Sequence, residues 1–178
     1  RGKLKEYPAL AKDAALFLRG GFWRGFLARY PEANNIQKRM LRVSNRLERA
    51  RAAHADDARL GEAERLLHQG QCNCAYWHGV FGGLYLNHLR TALYQRLIAA
   101  DAVLDAVEAL PASGVRAERA DFDGDGNDEA VLENGAAALF FSPTDGGTLF
   151  EADYKPKPFN FLNTLSRRDE PYHDLLRE

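Results

Sequence analysis

The stretch LDAVEALPASGVRAERADF, residues 104–122, is where the chain changes character. Up to Leu110 the apolar residues recur every three or four positions, the spacing of a helix face. Pro111 and Gly114 then stop the helix, and beyond Gly114 the period drops to that of a strand. Upstream, Pro31 opens an amphipathic pattern in which Ile36, Met40, Val43 and Leu47 recur at helical spacing, with Lys38, Arg39, Arg42 and Arg46 around them. The segment AHADDARLGEAE interrupts the pattern, and Glu62 to about Gln71 resumes it. A long helix is predicted from about Phe81 to Leu110, with Leu84, Leu89, Leu93 and Leu97 on or near one face. A loop rich in glycine and aromatics, RGGFWRGFLARYP, precedes this bundle of roughly three helices.

Downstream, VRAERADF, EAVLEN, AAALFFSP and GTLFEADYK read as strands, with Asn134-Gly135 as a hairpin turn. About four strands is half of what a sandwich needs to close its core. The predicted fold class is therefore an α+β multidomain fragment. A three-helix-type bundle over residues 1–112 is followed, over 113–178, by the N-terminal part of an antiparallel β-sandwich.

With 178 residues, 46% of them hydrophobic and 28% charged, the chain can bury a real core. A net charge of −1 provides no basic field to draw it to nucleic acid or acidic lipid, so neither partner is expected. No apolar run approaches the length of a membrane span. No leader segment is visible, which carries little weight in a chain beginning at Arg1. Cys72 and Cys74 are the two cysteines. On a helix the side chains of such a pair diverge by roughly 160°, and no histidine pairing at i, i+4 completes a zinc set. Reduced thiols in a cytoplasmic protein are the expectation.

Around those cysteines, residues 71–83 read QCNCAYWHGVFGG. On a helix, Asn73, Tyr76 and Trp77 share one face and offer an amide, a phenol and an indole side by side. Amides and phenols satisfy sugar hydroxyls, and a flat ring covers the apolar face of a pyranose. The competing reading is that Tyr76 and Trp77 are bundle core and that Gly79, Gly82 and Gly83 are packing contacts; spacing alone favours it. His78 by itself reads as a structural histidine.

The run QCNCAYWHGVFGGLYLNHLR, with RGGFWRGFLARYPEANNIQKRML upstream, closely resembles the helical region of glycoside hydrolase family 57, in its 4-α-glucanotransferase and α-amylase branch. ADFDGDGNDEAVLEN through LNTLSRRDEPYH is similar to the start of the β-sandwich that follows in that family. The resemblance implies a retaining enzyme acting on an α-glucan (starch, glycogen or a maltooligosaccharide) through two carboxyl groups roughly 5–5.5 Å apart. In the family these lie on a β/α barrel to which nothing here corresponds. The resemblance therefore implies no catalytic residue in this chain, and a barrel in the same or a companion chain. It also implies that Trp77 lines the glucan cleft, with Asn73, Tyr76 and His78 beside it. Where the family pattern reads N-D-A-Y-W-H-G, Cys74 replaces the aspartate, exchanging a strong acceptor for a weak one. Trp23 reads either as a second sugar platform or as a cap on the bundle core.

Residues 121–129, DFDGDGNDE, set Asp121, Asp123 and Asp125 at alternate positions, with Gly126 and then Glu129. Hard oxygen ligands at this spacing fold around calcium, and the glycine permits the turn. The alternative is a solvated Asp-Gly turn. A structural Ca2+ is the expectation, with no organic cofactor. A second functional reading stands beside the enzymatic one: a calcium-stabilised, non-catalytic carbohydrate-binding or scaffold module.

Overall fold

A computed structural model describes residues 21–79, 81–111, 113–170 and 173. The chain divides into two compact units, residues 1–31 and 32–178, so the change from helix to strand near residue 112 falls inside the second unit.

In the first unit, the segment expected to be a loop forms a short helix, α1 (Trp23–Arg29). The reason is aromatic spacing. Trp23 stacks on Phe26 at 5.5 Å between ring centroids, and Phe26 meets Tyr30 at 4.5 Å. Residues three and four apart are neighbours on a helix surface, so these contacts favour the helical turn over the loop.

Three longer helices follow: α2 (Pro31–Ala53), α3 (Arg59–Gly70) and α4 (Asn87–Val107). Pro31 opens α2 and Glu32 lies in its first turn, where a negative charge complements the helix dipole. α3 packs closely against α4. Leu60, Ala63, Leu66 and Leu67 of the one, and Leu93, Leu97, Ile98 and Leu104 of the other, are buried. At their contact the Leu97 side chain lies on Gly70, where a Cβ would stand 2.5 Å from Leu97 Cδ2. The long helix expected from Phe81 begins only at Asn87, after the 3-10 turn Gly83–Tyr85.

β1 (Arg116–Ala120), β2 (Glu129–Glu133), β3 (Ala137–Ser142), β4 (Thr148–Tyr154) and β5 (Phe159–Asn160) form one antiparallel sheet in the order β1-β2-β3-β4-β5. Asn134 makes the β2–β3 turn with its side chain: its Oδ1 accepts the Ala136 and Ala137 amides, each at 2.9 Å. A register shift falls between Phe140 and Phe141. Val131, Ala138 and Phe140 are buried with Phe122 and Phe150 against them, a small aromatic core for one face of the sheet. Five strands appear where about four were expected, the addition being the two-residue β5.

Charge joins α2 to the rest alongside its apolar stripe, in which Ala33, Ile36, Val43, Leu47 and Ala50 are buried. Arg39, expected at the margin of the apolar stripe, is buried in place of Met40. Its guanidinium donates to Asp101 on α4 at 2.9 Å, and to Glu151 at 2.9 Å and Asp153 at 3.1 Å on β4. Arg46 reaches Asp101 and Asp105 at 2.7 Å and Glu108 at 2.8 Å. Lys155 pairs with Asp105 at 2.5 Å and Glu133 at 3.3 Å. Burial alone raises the pKa of Asp101, but Arg39, Arg46, Arg42 and Lys155 outweigh it and hold the carboxyl well below the carboxylate range. The same balance, led among the cations by Arg42, leaves Glu133 at about 2.

Among the described residues, no helix is long and apolar enough to cross a membrane.

Candidate functional site

The segment between α3 and α4 carries most of the residues singled out above. α3 stops at Gly70, and the chain then makes two short 3-10 turns, Asn73–Ala75 and Gly83–Tyr85. The helix-face argument for Asn73, Tyr76 and Trp77 therefore fails. Tyr76 is 6% exposed and turned inward, and its hydroxyl donates to the Gly70 carbonyl at 2.6 Å. Burial pushes its phenol well above the usual tyrosine range. Trp77 is 46% exposed. Sequence neighbours thus divide the work: Tyr76 anchors the turn and Trp77 projects from it.

The Trp77 backbone is gripped from a second side. Its carbonyl accepts the Leu84 amide at 2.8 Å. Gly83, at φ +50°, makes that approach possible, since a Cβ there would stand 2.3 Å from Trp77 O and 2.9 Å from Cys74 O. The indole reaches over Gly79, where a Cβ would lie 3.1 Å from Trp77 Cζ3. Asn73, Cys72 and Cys74 are exposed, and both thiols are free of disulfides. His78 is largely covered; its Nε2 lies 3.5 Å from Glu170 Oε1, and its ring meets the Tyr85 ring edge-on at 5.0 Å. Glu170 and Tyr85 escaped the sequence reading because nothing local ties position 170 to position 78. Trp23 belongs to the other compact unit, exposed on α1.

What the turn offers is an indole face open to solvent, held on a rigid backbone, with the amide of Asn73 exposed in the same turn. Such a surface stacks on a flat apolar face and donates or accepts hydrogen bonds at its rim.

The acidic loop between β1 and β2 is a second feature. Carboxylate oxygens of Asp121, Asp123 and Glu129 lie within 4.8 Å of one another. Asp121 Oδ1 accepts the Gly124 and Asp125 amides, at 2.8 and 3.0 Å, and Oδ2 accepts that of Gly126 at 3.1 Å. Glu129 Oε2 accepts the Phe122 amide at 2.9 Å. Asp125 stands outside the converging trio and accepts the Asn127 amide at 2.7 Å. Burial, with repulsion from neighbouring aspartates, raises the carboxyls of Asp123 and Glu129. From α2, Asn34 Nδ2 donates to the Asp123 carbonyl at 2.7 Å.

Comparison with known proteins places both features in one lineage. Residues 21–104 match the family described as alpha-amylase/4-alpha-glucanotransferase, middle domain, and residues 121–178 match its C-terminal counterpart. An alpha-amylase of Dictyoglomus thermophilum is 45% identical over 160 residues, which are 90% of this chain and 22% of that protein. A 4-alpha-glucanotransferase of Thermococcus kodakarensis is 40% identical over 160 residues, with the same two coverages. The crystal structure of 4-alpha-glucanotransferase from Thermococcus litoralis superposes with a TM-score of 0.71 at 36% identity, covering 98% of this chain and 24% of that one. The chain thus spans between a fifth and a quarter of the length of these relatives. It belongs to the alpha-amylase/4-alpha-glucanotransferase family, glycoside hydrolase family 57, of which it carries the middle domain and the C-terminal region that follows.

Proposed function

We propose that this chain supplies one wall of an α-glucan cleft, with Trp77 as the ring on which a glucose unit stacks. One observation carries the reading: an indole 46% exposed on a turn whose backbone is fixed on both sides of it. A soluble protein gains nothing in packing from so large an apolar face held in water, whereas a sugar gains a preformed platform. Exposed Asn73 offers an amide to sugar hydroxyls in the same segment, while buried Tyr76 and the largely covered His78 hold the turn. Hydrolysis or transfer on starch, glycogen or maltooligosaccharides then belongs to the longer protein. Its paired carboxylates would come from a barrel outside these 178 residues, in the same or a companion chain. Two exposed, unbridged thiols fit a reducing, cytoplasmic setting.

The test is Trp77→Ala in the longer protein. The expected result is a rise of about tenfold in KM for a maltooligosaccharide, the equivalent of about 1.4 kcal/mol of stacking and burial. Unchanged kinetics would remove Trp77 from the cleft.

The acidic loop fits a structural Ca2+ by its donor chemistry. Three hard carboxylate oxygens converge, and two of the groups have pKa values raised by burial first and by neighbouring aspartates second. Asp121, Asp123 and Glu129 would hold the ion, and Asp125 would shape the loop. Calcium added after chelation should raise the melting temperature, and Asp123→Ala should abolish the rise. Identical melting curves with and without calcium would leave a solvated turn.

A further inference from the structure

We propose that Glu170, from the C-terminal region, is a positioning residue for the Trp77 turn: its buried carboxylate ties together His78, the next residue in the chain, and Tyr85, whose 3-10 turn grips the Trp77 carbonyl. The proposal rests on the cleft reading for its functional meaning, and on geometry for everything else.

The Glu170 side chain is 3% exposed. Its Oε1 accepts the Tyr85 hydroxyl at 2.7 Å, and the same oxygen lies 3.5 Å from His78 Nε2. The first has the length of a strong hydrogen bond; the second is a longer polar contact. The two side chains it holds also hold each other, through the edge-on ring contact at 5.0 Å. Other parts of the same segment close around Tyr85. The Arg168 amide donates to its hydroxyl at 3.4 Å, and the Arg167 guanidinium sits 5.8 Å from its ring centroid.

These contacts bear on Trp77 by two routes. His78 is the next residue in the chain, so fixing its ring fixes the peptide that leaves Trp77. Tyr85 ends the 3-10 turn Gly83–Tyr85, whose Leu84 amide grips the Trp77 carbonyl at 2.8 Å. Loss of the carboxylate would free both routes at once. Conformational freedom of the bare turn then has to be removed each time a sugar binds, which weakens binding without touching the reacting atoms. Trp77 and Glu170 fall in different matched regions, the middle domain and the C-terminal one, so the wall is built by both.

The experiment uses the longer protein, with Glu170→Gln, Glu170→Ala, Trp77→Ala and the double variants, and 5-fluorotryptophan incorporation to observe Trp77. Glu170→Gln keeps an oxygen for Tyr85 and loses only the charge facing His78, so it guards against a variant that fails to fold. Glu170→Ala is expected to raise KM about fivefold with kcat nearly unchanged, and Glu170→Gln about twofold, the pattern of lost binding. In the Trp77→Ala background the Glu170→Ala increment should largely vanish, because the group being positioned is gone. The Trp77 fluorine resonance, assigned by Trp77→Phe, should shift or broaden in Glu170→Ala without any sugar present. An unmoved resonance overturns the proposal, and so does a KM increment that adds fully to that of Trp77→Ala. If Trp77→Ala itself is kinetically silent while the resonance still moves, the cleft reading fails and Glu170 stands as the holder of the turn.

Discussion

α4 meets its two neighbours in opposite ways. Toward α3 it presents Leu93, Leu97, Ile98 and Leu104, and the Leu97 side chain packs directly onto Gly70. Toward α2 and the sheet it presents Asp101 and Asp105, and long arginine and lysine side chains bridge the gap. The apolar contact is stabilised by area and shape, so it tolerates a swap that preserves volume. The charged contact is stabilised by complementarity against a large desolvation cost, so losing one partner strands the others. One helix thus has a forgiving face and an exacting one.

The sharpest way to break this contrast is Arg39→Met. The new side chain has similar length and no charge, and it leaves Asp101, Glu151 and Asp153 facing each other in the interior. A loss of about 3–5 kcal/mol of unfolding free energy is expected in urea titration. A loss under about 1 kcal/mol would mean that the carboxylates rearrange or take up protons at little cost. On the apolar face, Leu97→Ala should cost less, about 3 kcal/mol, from lost transfer energy and the cavity left behind. If the two losses came out reversed, the exacting face would be the apolar one.

A smaller effect sharpens the electrostatic side through pH. Burial, and then the charge of Asp153, push the Glu151 carboxyl well above the usual range against the pull of Arg39. The folded state then binds more protons than the unfolded one above the ordinary glutamate value of about 4.3, so this group's contribution falls as pH rises from there to its folded pKa. Asp101 has the opposite sign: its contribution is present above its ordinary value and is lost as pH falls. Glu151→Gln mimics the protonated acid, and its unfolding free energy should decline less with rising pH than that of the parent. Parallel pH profiles would show that Glu151 is ionised in the folded chain.

Much of the architecture was legible from period and punctuation. Pro31, the stripe through Ile36, Val43 and Leu47, the break at Pro111 and Gly114, and Asn134 all signal through local chemistry, and the structure has its elements there. The turn at 71–86 was misread because Asn73, Tyr76 and Trp77 happen to sit at helical spacing. What overrides that spacing is tertiary: the Gly83 approach to the Trp77 carbonyl and the Tyr76 bond to Gly70. Arg39 was misread because a charge beside an apolar stripe normally faces water, while its partners Glu151 and Asp153 lie 112 and 114 positions away. A usable signal did exist. Glu151 and Asp153 alternate along one strand face while Arg39, Arg42 and Arg46 repeat along one helix face, two charged rows of complementary sign. At the candidate site, the family motif pointed to the turn, but only the fold could separate exposed Trp77 from buried Tyr76 or bring Glu170 to His78.

The order of the strands has a consequence for how the chain behaves among its own copies. Among the described residues β1 and β5 are the two edges of the sheet. An edge strand offers unpaired amides and carbonyls to any passing chain, and long apolar edges seed aggregation. Here β1 displays Glu118 and Arg119 to solvent, with Arg116 half-exposed, and β5 is only two residues long. A strand from another molecule approaching β1 would have to lay itself along a row of charges of both signs. The β1 edge is therefore a poor template for partly folded copies of the chain.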